Sequence, residues 1–309
     1  MSLSTNASLS GRRVPPRNPE RREMNNSQGN KPFTSTGTGV LRASARVTSS
    51  PAGQLAPDLE AALRRLRLPT MRRVAPELLG TARTEGWGPE DLLRALVEAE
   101  VAGRDASNTQ IRLKEARLPV MRSLEDFDVT ASSIPRPTFD YLTSLGWLDS
   151  TENLYVEGPA GTGKTHLLDG LGQLAVEAGN PVRYFSTTGL VERLGFGLTD
   201  NSLEKAIGEV LHARLVIIDD FGFAPLGSTG SRLLLSLVAA AYEHTSIALA
   251  THVPVHEWGR FLHDQSTANS IVDRFLHHAI IVVTEGESFR MREARERPAG
   301  PRCVLSTSD

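Results

Sequence analysis

Five short apolar runs, separated by stretches with helical spacing, constrain the fold of this chain more than any other feature. They occupy residues 154–156, 182–185, 215–218, 247–250 and 280–283. Short apolar strands that alternate with helices are typical of a parallel sheet covered on both faces. The segments between the runs are long enough for right-handed crossovers. The sequence from about residue 136 onward therefore predicts an α/β domain.

A glycine-rich segment follows the first apolar run and precedes a helical pattern. Residues 158–165 read Gly-Pro-Ala-Gly-Thr-Gly-Lys-Thr and match G-x-x-x-x-G-K-[ST]. Glycines let consecutive backbone N–H groups point at phosphate oxygens, and the helix that follows directs its positive end at them. A flexible glycine turn is the alternative, but the strand–loop–helix context favours an ATP site. The predicted phosphate-site residues are Gly158, Pro159, Ala160, Gly161, Thr162, Gly163, Lys164, Thr165 and His166.

Two acids, Asp219 and Asp220, directly follow the third apolar run. A buried parallel strand that ends in acids delivers carboxylates to the sheet edge where ligands bind. We predict that Asp219, with the Thr165 hydroxyl, holds Mg²⁺, and that Asp220 polarises the attacking water. An acid pair after a strand is a weak signal by itself, because many strands end in acidic turns. Here Asp219 follows Lys164 by 55 residues (219 minus 164), and this spacing after a phosphate loop favours a role in the ATP site.

Two further polar residues are candidates for the same site. His252 follows the fourth apolar run, where a polar residue could contact the γ-phosphate or the attacking water, or could simply lie at the surface. Arg274 lies in a helical stretch. An arginine stabilises charge on a transferred phosphoryl group and is often supplied by a neighbouring subunit. A salt bridge between Arg274 and Asp273 or another acid is the alternative.

The chain divides into four predicted parts. Residues 1–55 are rich in small polar residues and arginine, which predicts a disordered tail. A transit peptide, or upstream sequence included by an early start codon, also fits this composition. Leucines at helical spacing, and Pro89 at a helix start, predict a helical N-terminal domain over 56–135. The ATPase core covers 136–290, and 291–309 form a C-terminal tail.

Composition and charge restrict the remaining possibilities. A single cysteine, Cys303, excludes a disulfide framework and a cysteine-based metal site. No apolar run approaches the length of a membrane span, so we expect a cytoplasmic protein. The net charge is −2, but residues 1–55 carry eight basic and two acidic residues. A basic front end could contact DNA, and a solvated tail is the alternative.

Several segments together resemble the IstB family, the ATP-binding helper proteins of bacterial insertion sequences. That family is similar to the DnaC helicase loaders and DnaA initiators within the AAA+ class. The resemblance covers about 60–290, nearly everything except the front tail and the last residues. Its segments are residues 97–102, Leu-Glu-Asp-Phe-Asp at 124–128, 157–166, 215–222 with Leu226, 253–259, 273–279 and 286–290.

The resemblance implies a P-loop AAA+ core with a five-stranded parallel sheet, in which the strand ending at Thr251 lies between the other two site strands. It implies ATP-dependent homo-oligomeric assembly on DNA, partnership with a transposase, and Arg274 reaching a neighbour's nucleotide. A helicase loader of DnaC type is the alternative. The front-helix arginines Arg64, Arg65, Arg72 and Arg73 are candidates for contacts with the DNA backbone, largely without sequence preference.

Two residues depart from the pattern of the class. Asp220 stands where most AAA+ proteins carry glutamate, and its shorter side chain has less reach to the attacking water. His252 stands where asparagine is common, and a histidine makes this position sensitive to pH. Both changes preserve the expectation of ATP binding and leave the rate of hydrolysis open.

Overall fold

The computed structural model describes residues 54–286 apart from 131 and 200, together with 288, 289, 291 and 295. The predicted disordered tail lies outside the described residues except for 54 and 55, and the predicted C-terminal tail does so except for 291 and 295. The boundaries of the four parts stay predictions. Among the described helices, none combines the length and apolar character that crossing a bilayer requires.

Three helices form the front of the described chain: α1 (Pro57–Arg65), α2 (Pro69–Glu85) and α3 (Pro89–Ala116). Each begins at a proline, whose fixed φ suits the first helical position and whose missing N–H has no partner there anyway. Glu100 of α3 accepts hydrogen bonds from the Met71 N–H (2.9 Å) and from Arg104 Nε (3.0 Å). This carboxylate therefore ties α3 to the first turn of α2, where a helix dipole favours negative charge.

A five-stranded parallel sheet follows, in the order β2-β3-β4-β1-β5. Each predicted apolar run lies within one strand, and β4 lies between β3 and β1, so both predictions are confirmed. The strands are β1 (Asn153–Glu157), β2 (Val182–Ser186), β3 (Leu215–Phe221), β4 (Ser246–Thr251) and β5 (Ala279–Val283).

Helices precede the sheet and connect its strands. They are α4 (Arg136–Thr143), α5 (Gly146–Asp149), α6 (Lys164–Glu177), α7 (Thr187–Thr199), α8 (Leu203–Leu211), α9 (Gly227–Ala241) and α10 (Gln265–Leu276). Short 3₁₀ segments cover Leu124–Asp126 and Val255–Arg260. The helix predicted after the glycine-rich segment is confirmed as α6, which begins at Lys164.

The sheet is buried on both faces, which explains why its strands are apolar at successive positions. Along β3, Val216 and Ile218 pack into one core layer while Leu215 and Ile217 pack into the other. The first layer contains an aromatic group in which the Phe221 and Trp258 rings lie 4.6 Å apart. Burial of each such side chain contributes about 1.5–3 kcal/mol. These two layers hold the carboxyl ends of the strands rigidly at one edge.

Candidate functional site

The predicted phosphate loop connects β1 to α6, and two of its glycines are required by close contacts. Gly158 has φ +152°, and a Cβ there would lie 2.1 Å from the Thr284 carbonyl oxygen. Gly161 has φ +87°, and a Cβ there would lie 2.0 Å from Ser288 Oγ. The Phe289 N–H also donates to the Gly161 carbonyl (3.0 Å). The chain after β5 therefore passes directly against the loop, which leaves no space for side chains.

Hydrogen bonds hold the loop in a defined shape. Lys164 Nζ donates to the carbonyl oxygens of Gly158 and Pro159, at 2.7 Å each. Buried Thr162 donates to the Pro159 carbonyl (2.9 Å) and pairs with Thr284 Oγ1 (2.7 Å). The lysine ammonium thus lies against the loop backbone, on a flexible side chain that can turn to meet a phosphate.

A cavity of about 270 Å³ adjoins the loop and the start of α6. The predicted residues Gly161, Gly163, Lys164, Thr165 and His166 line it, and residues from outside the loop complete it: Arg122, Asp126, Phe127, Asp128 and Phe289. The cavity approaches the size of ordinary ligand pockets. Its lysine and arginine suit the phosphates of a nucleotide and its aromatic rings suit the base, so the lining fits ATP.

His166 contacts two residues outside the loop. Its Nε2 lies 3.2 Å from the Ser123 carbonyl oxygen, and its ring meets the edge of Phe127 at 5.4 Å. Both partners come from the segment between α3 and α4. His166 therefore connects the phosphate loop to the aromatic wall of the cavity.

The strand register brings the other predicted elements to the same edge. Glu157, the last residue of β1, pairs with Thr251 of β4, and Thr251 pairs with Phe221 of β3. The Gly158 N–H donates to the Thr251 carbonyl (3.2 Å) and Thr251 Oγ1 donates to the Phe221 carbonyl (2.7 Å). Buried Thr251 thus ties the loop to the end of the acid-bearing strand.

The two acids at the end of β3 differ in environment. The buried Asp219 carboxylate accepts hydrogen bonds from the Tyr184 hydroxyl (3.0 Å) and from the Asp220 N–H (2.8 Å). Burial, and then the Asp219 carboxylate, raise the pKa of the Tyr184 hydroxyl. Asp220 is exposed and has φ +55°, a conformation that aspartate tolerates better than most residues. An oriented carboxylate such as Asp219, with the Thr165 hydroxyl, suits the oxygen preference of Mg²⁺.

The remaining two candidates lie on the surface. His252 is exposed directly after β4. Arg274 is exposed on α10, where its Nη1 donates to the Ser270 carbonyl (3.0 Å) one turn back. Among the ion pairs of the described residues none involves Arg274, so the salt bridge with Asp273 is not observed. Its guanidinium is accessible to a second molecule.

The sequence reasoning missed Asp169, an acid on α6 that is fully buried. Neither of its carboxylate oxygens has a hydrogen-bond partner. Burial raises the pKa of Asp169 to about 7; the positive charge of Arg122 opposes this rise, and the Asp219 carboxylate adds to it. The signal for it was available, because Asp169 interrupts the otherwise apolar sequence Leu-Leu-Asp-Gly-Leu at 167–171.

A parallel sheet with this strand order, a phosphate loop after β1 and an acid pair at the end of β3 define a P-loop protein of the AAA+ class. Within that class, the chain belongs to the family of IstB-like ATP binding proteins, whose family model matches residues 61–297.

Individual relatives agree with this assignment. The chain is 33% identical, over 77% of its length and 91% of the relative, to a Pseudomonas aeruginosa protein of insertion sequence IS21 that is named for ATP binding. It is 34% identical, over 75% of its length and 78% of the relative, to a Sinorhizobium fredii insertion-sequence protein named likewise. Among solved structures it is similar to AMPPCP-bound DnaA of Aquifex aeolicus, with TM-score 0.46, 22% identity and coverage of 58% and 55%.

Proposed function

We propose that this protein is an ATPase that assembles on DNA in its ATP-bound form and assists a transposase during insertion-sequence transposition. One observation carries the proposal: the phosphate loop and the Asp219–Asp220 pair lie at one edge of the sheet, joined through Thr251. The names of the relatives, which place ATP-binding proteins in insertion sequences, support the biological setting.

The chemistry follows from the residues at this edge. The loop N–H groups and Lys164 bind the phosphates, and Thr165 and Asp219 are the residues that would hold Mg²⁺, which would supply positive charge against the phosphates. Asp220 polarises a water molecule whose oxygen attacks the γ-phosphorus. The bond between that phosphorus and the β–γ bridging oxygen breaks, and ADP and inorganic phosphate leave. The water's proton passes to the phosphate or to Asp220.

Two surface residues complete the site in an assembly. His252 follows the central strand β4 and contacts the γ-phosphate or the attacking water. Arg274, exposed and without an ion-pair partner among the described residues, reaches the nucleotide of a neighbouring subunit and stabilises charge on the phosphoryl group. Assembly on DNA then switches hydrolysis on, and hydrolysis resets the assembly.

Nucleotide-dependent DNA binding tests this proposal. Wild-type protein and the Lys164→Ala variant are titrated with a labelled DNA duplex in the presence of ATP, ADP or no nucleotide, while phosphate release is followed. We expect ATP to tighten DNA binding and DNA to accelerate phosphate release in the wild type alone. Equal DNA affinity in all three nucleotide states would contradict ATP-dependent assembly.

The partner requires a separate test. An insertion-sequence transposase is added to the ATP–DNA complex, and insertion into a target plasmid is measured. We expect insertion to depend on ATP and on Lys164. Stimulation of a replicative helicase, with no effect on insertion, would instead identify a helicase loader.

A further inference from the structure

A basic groove lies outside the nucleotide cavity, between the end of α3, the edge strand β2 and helices α7 and α8. It encloses about 830 Å³ and is thus larger than the cavity at the phosphate loop. Five cationic side chains line it, namely Lys114, Arg117, Arg183, Arg193 and Lys205. Two acids, Glu115 and Glu209, are the carboxylates on its wall.

The two acids neutralise only part of this charge. Glu115 pairs with Arg183 at 3.1 Å, and Glu209 pairs with Arg193. Lys114, Arg117 and Lys205 are exposed and take part in no ion pair among the described residues. The lining therefore carries five positive and two negative charges, a net charge of +3.

That charge contrasts with its surroundings. Residues 126–309 carry 14 basic and 23 acidic residues, a net charge of −9. The β2, α7 and α8 walls of the groove belong to this acidic part, and a positive concavity attracts polyanions locally and raises their association rate. By contrast, helices α1 and α2, which carry the arginines that the sequence suggested for DNA contact, mix both signs, and Arg64 there is paired with Glu60 at 3.2 Å.

We infer that the basic groove binds the phosphate backbone of a DNA strand through Lys114, Arg117 and Lys205. This inference rests on the proposed assembly on DNA and names the contacts that it requires. Each of the three cations releases one counterion when it neutralises a phosphate, and together they contribute about 2.7 to the slope of log affinity against log salt on duplex DNA. Contacts to phosphates alone suit binding with little sequence preference.

One side chain, Tyr184, connects the groove to the ATP site. Tyr184 lies on the groove wall, and its hydroxyl donates to Asp219, the candidate Mg²⁺ ligand, at 3.0 Å. A DNA strand in the groove that shifts this ring changes the hydrogen bonding of the carboxylate. Tyr184 is therefore a positioning residue between DNA and ATP hydrolysis.

A charge-matched pair of variants tests the groove. The first carries Lys114→Gln, Arg117→Gln and Lys205→Gln; the control carries Arg65→Gln, Arg72→Gln and Arg73→Gln on α1 and α2. Binding to a 30-base-pair duplex and to a 30-nucleotide single strand is measured with ATP across a salt series. We expect the groove variant to bind at least about tenfold more weakly and to lose about 2.7 from its duplex slope. The control should keep the DNA affinity and the salt slope of the wild type.

The outcomes separate the groove from the wider proposal. The groove is not the contact surface if the wild type binds DNA and the groove variant binds it with the same affinity. The same conclusion follows if the control variant loses as much affinity as the groove variant. If the wild type binds neither probe in any nucleotide state, assembly on DNA itself is wrong. The probe whose binding the groove variant loses identifies the groove's ligand as duplex or single strand.

Tyr184→Phe tests the connection to ATP. The variant keeps the ring and removes the hydrogen bond to Asp219. We expect DNA affinity within about twofold of the wild type, while the ratio of hydrolysis rates with and without DNA falls toward one. An unchanged ratio would contradict the coupling.

Discussion

The two halves of the nucleotide site are built in different ways. The half that holds phosphates is a single loop, fixed by its own hydrogen bonds and by contacts with Thr284 and Ser288. The half that would activate water uses Asp220, His252 and Arg274, which come from three elements and are all exposed. One contiguous segment thus shapes the predicted phosphate site, whereas the residues proposed for hydrolysis are spread over the surface, which fits the proposal that a second molecule orders them.

Lys164→Ala should have the largest effect, because the lysine charge contacts the phosphates in the bound and the transition state. We expect ATP hydrolysis to fall by about 10⁴-fold and ATP binding to weaken by about 10²-fold. Calorimetric titration and phosphate release measure the two effects. Arg232→Ala, which removes an exposed positive charge from α9, should behave as the wild type. A normal rate in Lys164→Ala would refute the phosphate site.

Arg274→Ala should have the second-largest effect, and it should lower hydrolysis without weakening ATP binding. Hydrolysis at high protein concentration should fall by about 10³-fold, as is typical of an arginine supplied in trans, while ATP affinity stays unchanged. Mixing this variant with Asp220→Asn should restore part of the activity, because one subunit then supplies the arginine and its neighbour the acid. No recovery would show that Arg274 acts within its own chain.

Asp220→Asn should slow hydrolysis by about 10²-fold and retain ATP, since a neutral amide polarises water poorly. Single-turnover phosphate release and calorimetry measure these two properties. Asp264→Asn, which alters the N-cap of α10, provides a comparison at a distant carboxylate. A wild-type rate in Asp220→Asn would show that another group positions the water.

The smallest expected effect concerns Asp169, which lies on α6 beneath the loop and interacts electrostatically with Asp219. Its folded-state pKa of about 7 lies above the unfolded value of 3.8, so the wild type loses stability as pH rises between these two values, and the loss levels off above pH 7. Relative to Asp169→Asn, the wild-type free energy of unfolding should fall by about 1.4 kcal/mol from pH 6 to pH 8. Denaturant titrations at both pH values measure this difference. A constant difference would show that Asp169 is already ionised in the folded protein over this pH range.

Features that depend on local sequence were predictable. The strands could be predicted because both faces of the sheet are buried. For this reason the sequence of β3 is an uninterrupted apolar run before its acids. The phosphate loop was equally clear, since its glycines and lysine are contiguous. Pro89 marked the start of α3 because proline suits the first position of a helix.

Features that depend on distant contacts were not predictable. Thr162 pairs with Thr284 across 122 residues, and the groove gathers cations from Lys114 to Lys205. No pattern in the sequence indicates that such residues meet, because the meeting follows from how the helices pack on the sheet. Asp169 was predictable only in part. The sequence shows an acid within an apolar helix, but the lack of hydrogen-bond partners for its carboxylate follows from how α6 packs against β3.

The most direct test measures ATP turnover per subunit across a hundredfold range of protein concentration, with saturating ATP and DNA, alongside ATP binding by the dilute chain. We expect full ATP binding at the lowest concentration and turnover per subunit that rises steeply as subunits meet. Turnover per subunit that stays constant over the whole range would contradict the division between a self-sufficient phosphate loop and a shared hydrolytic half.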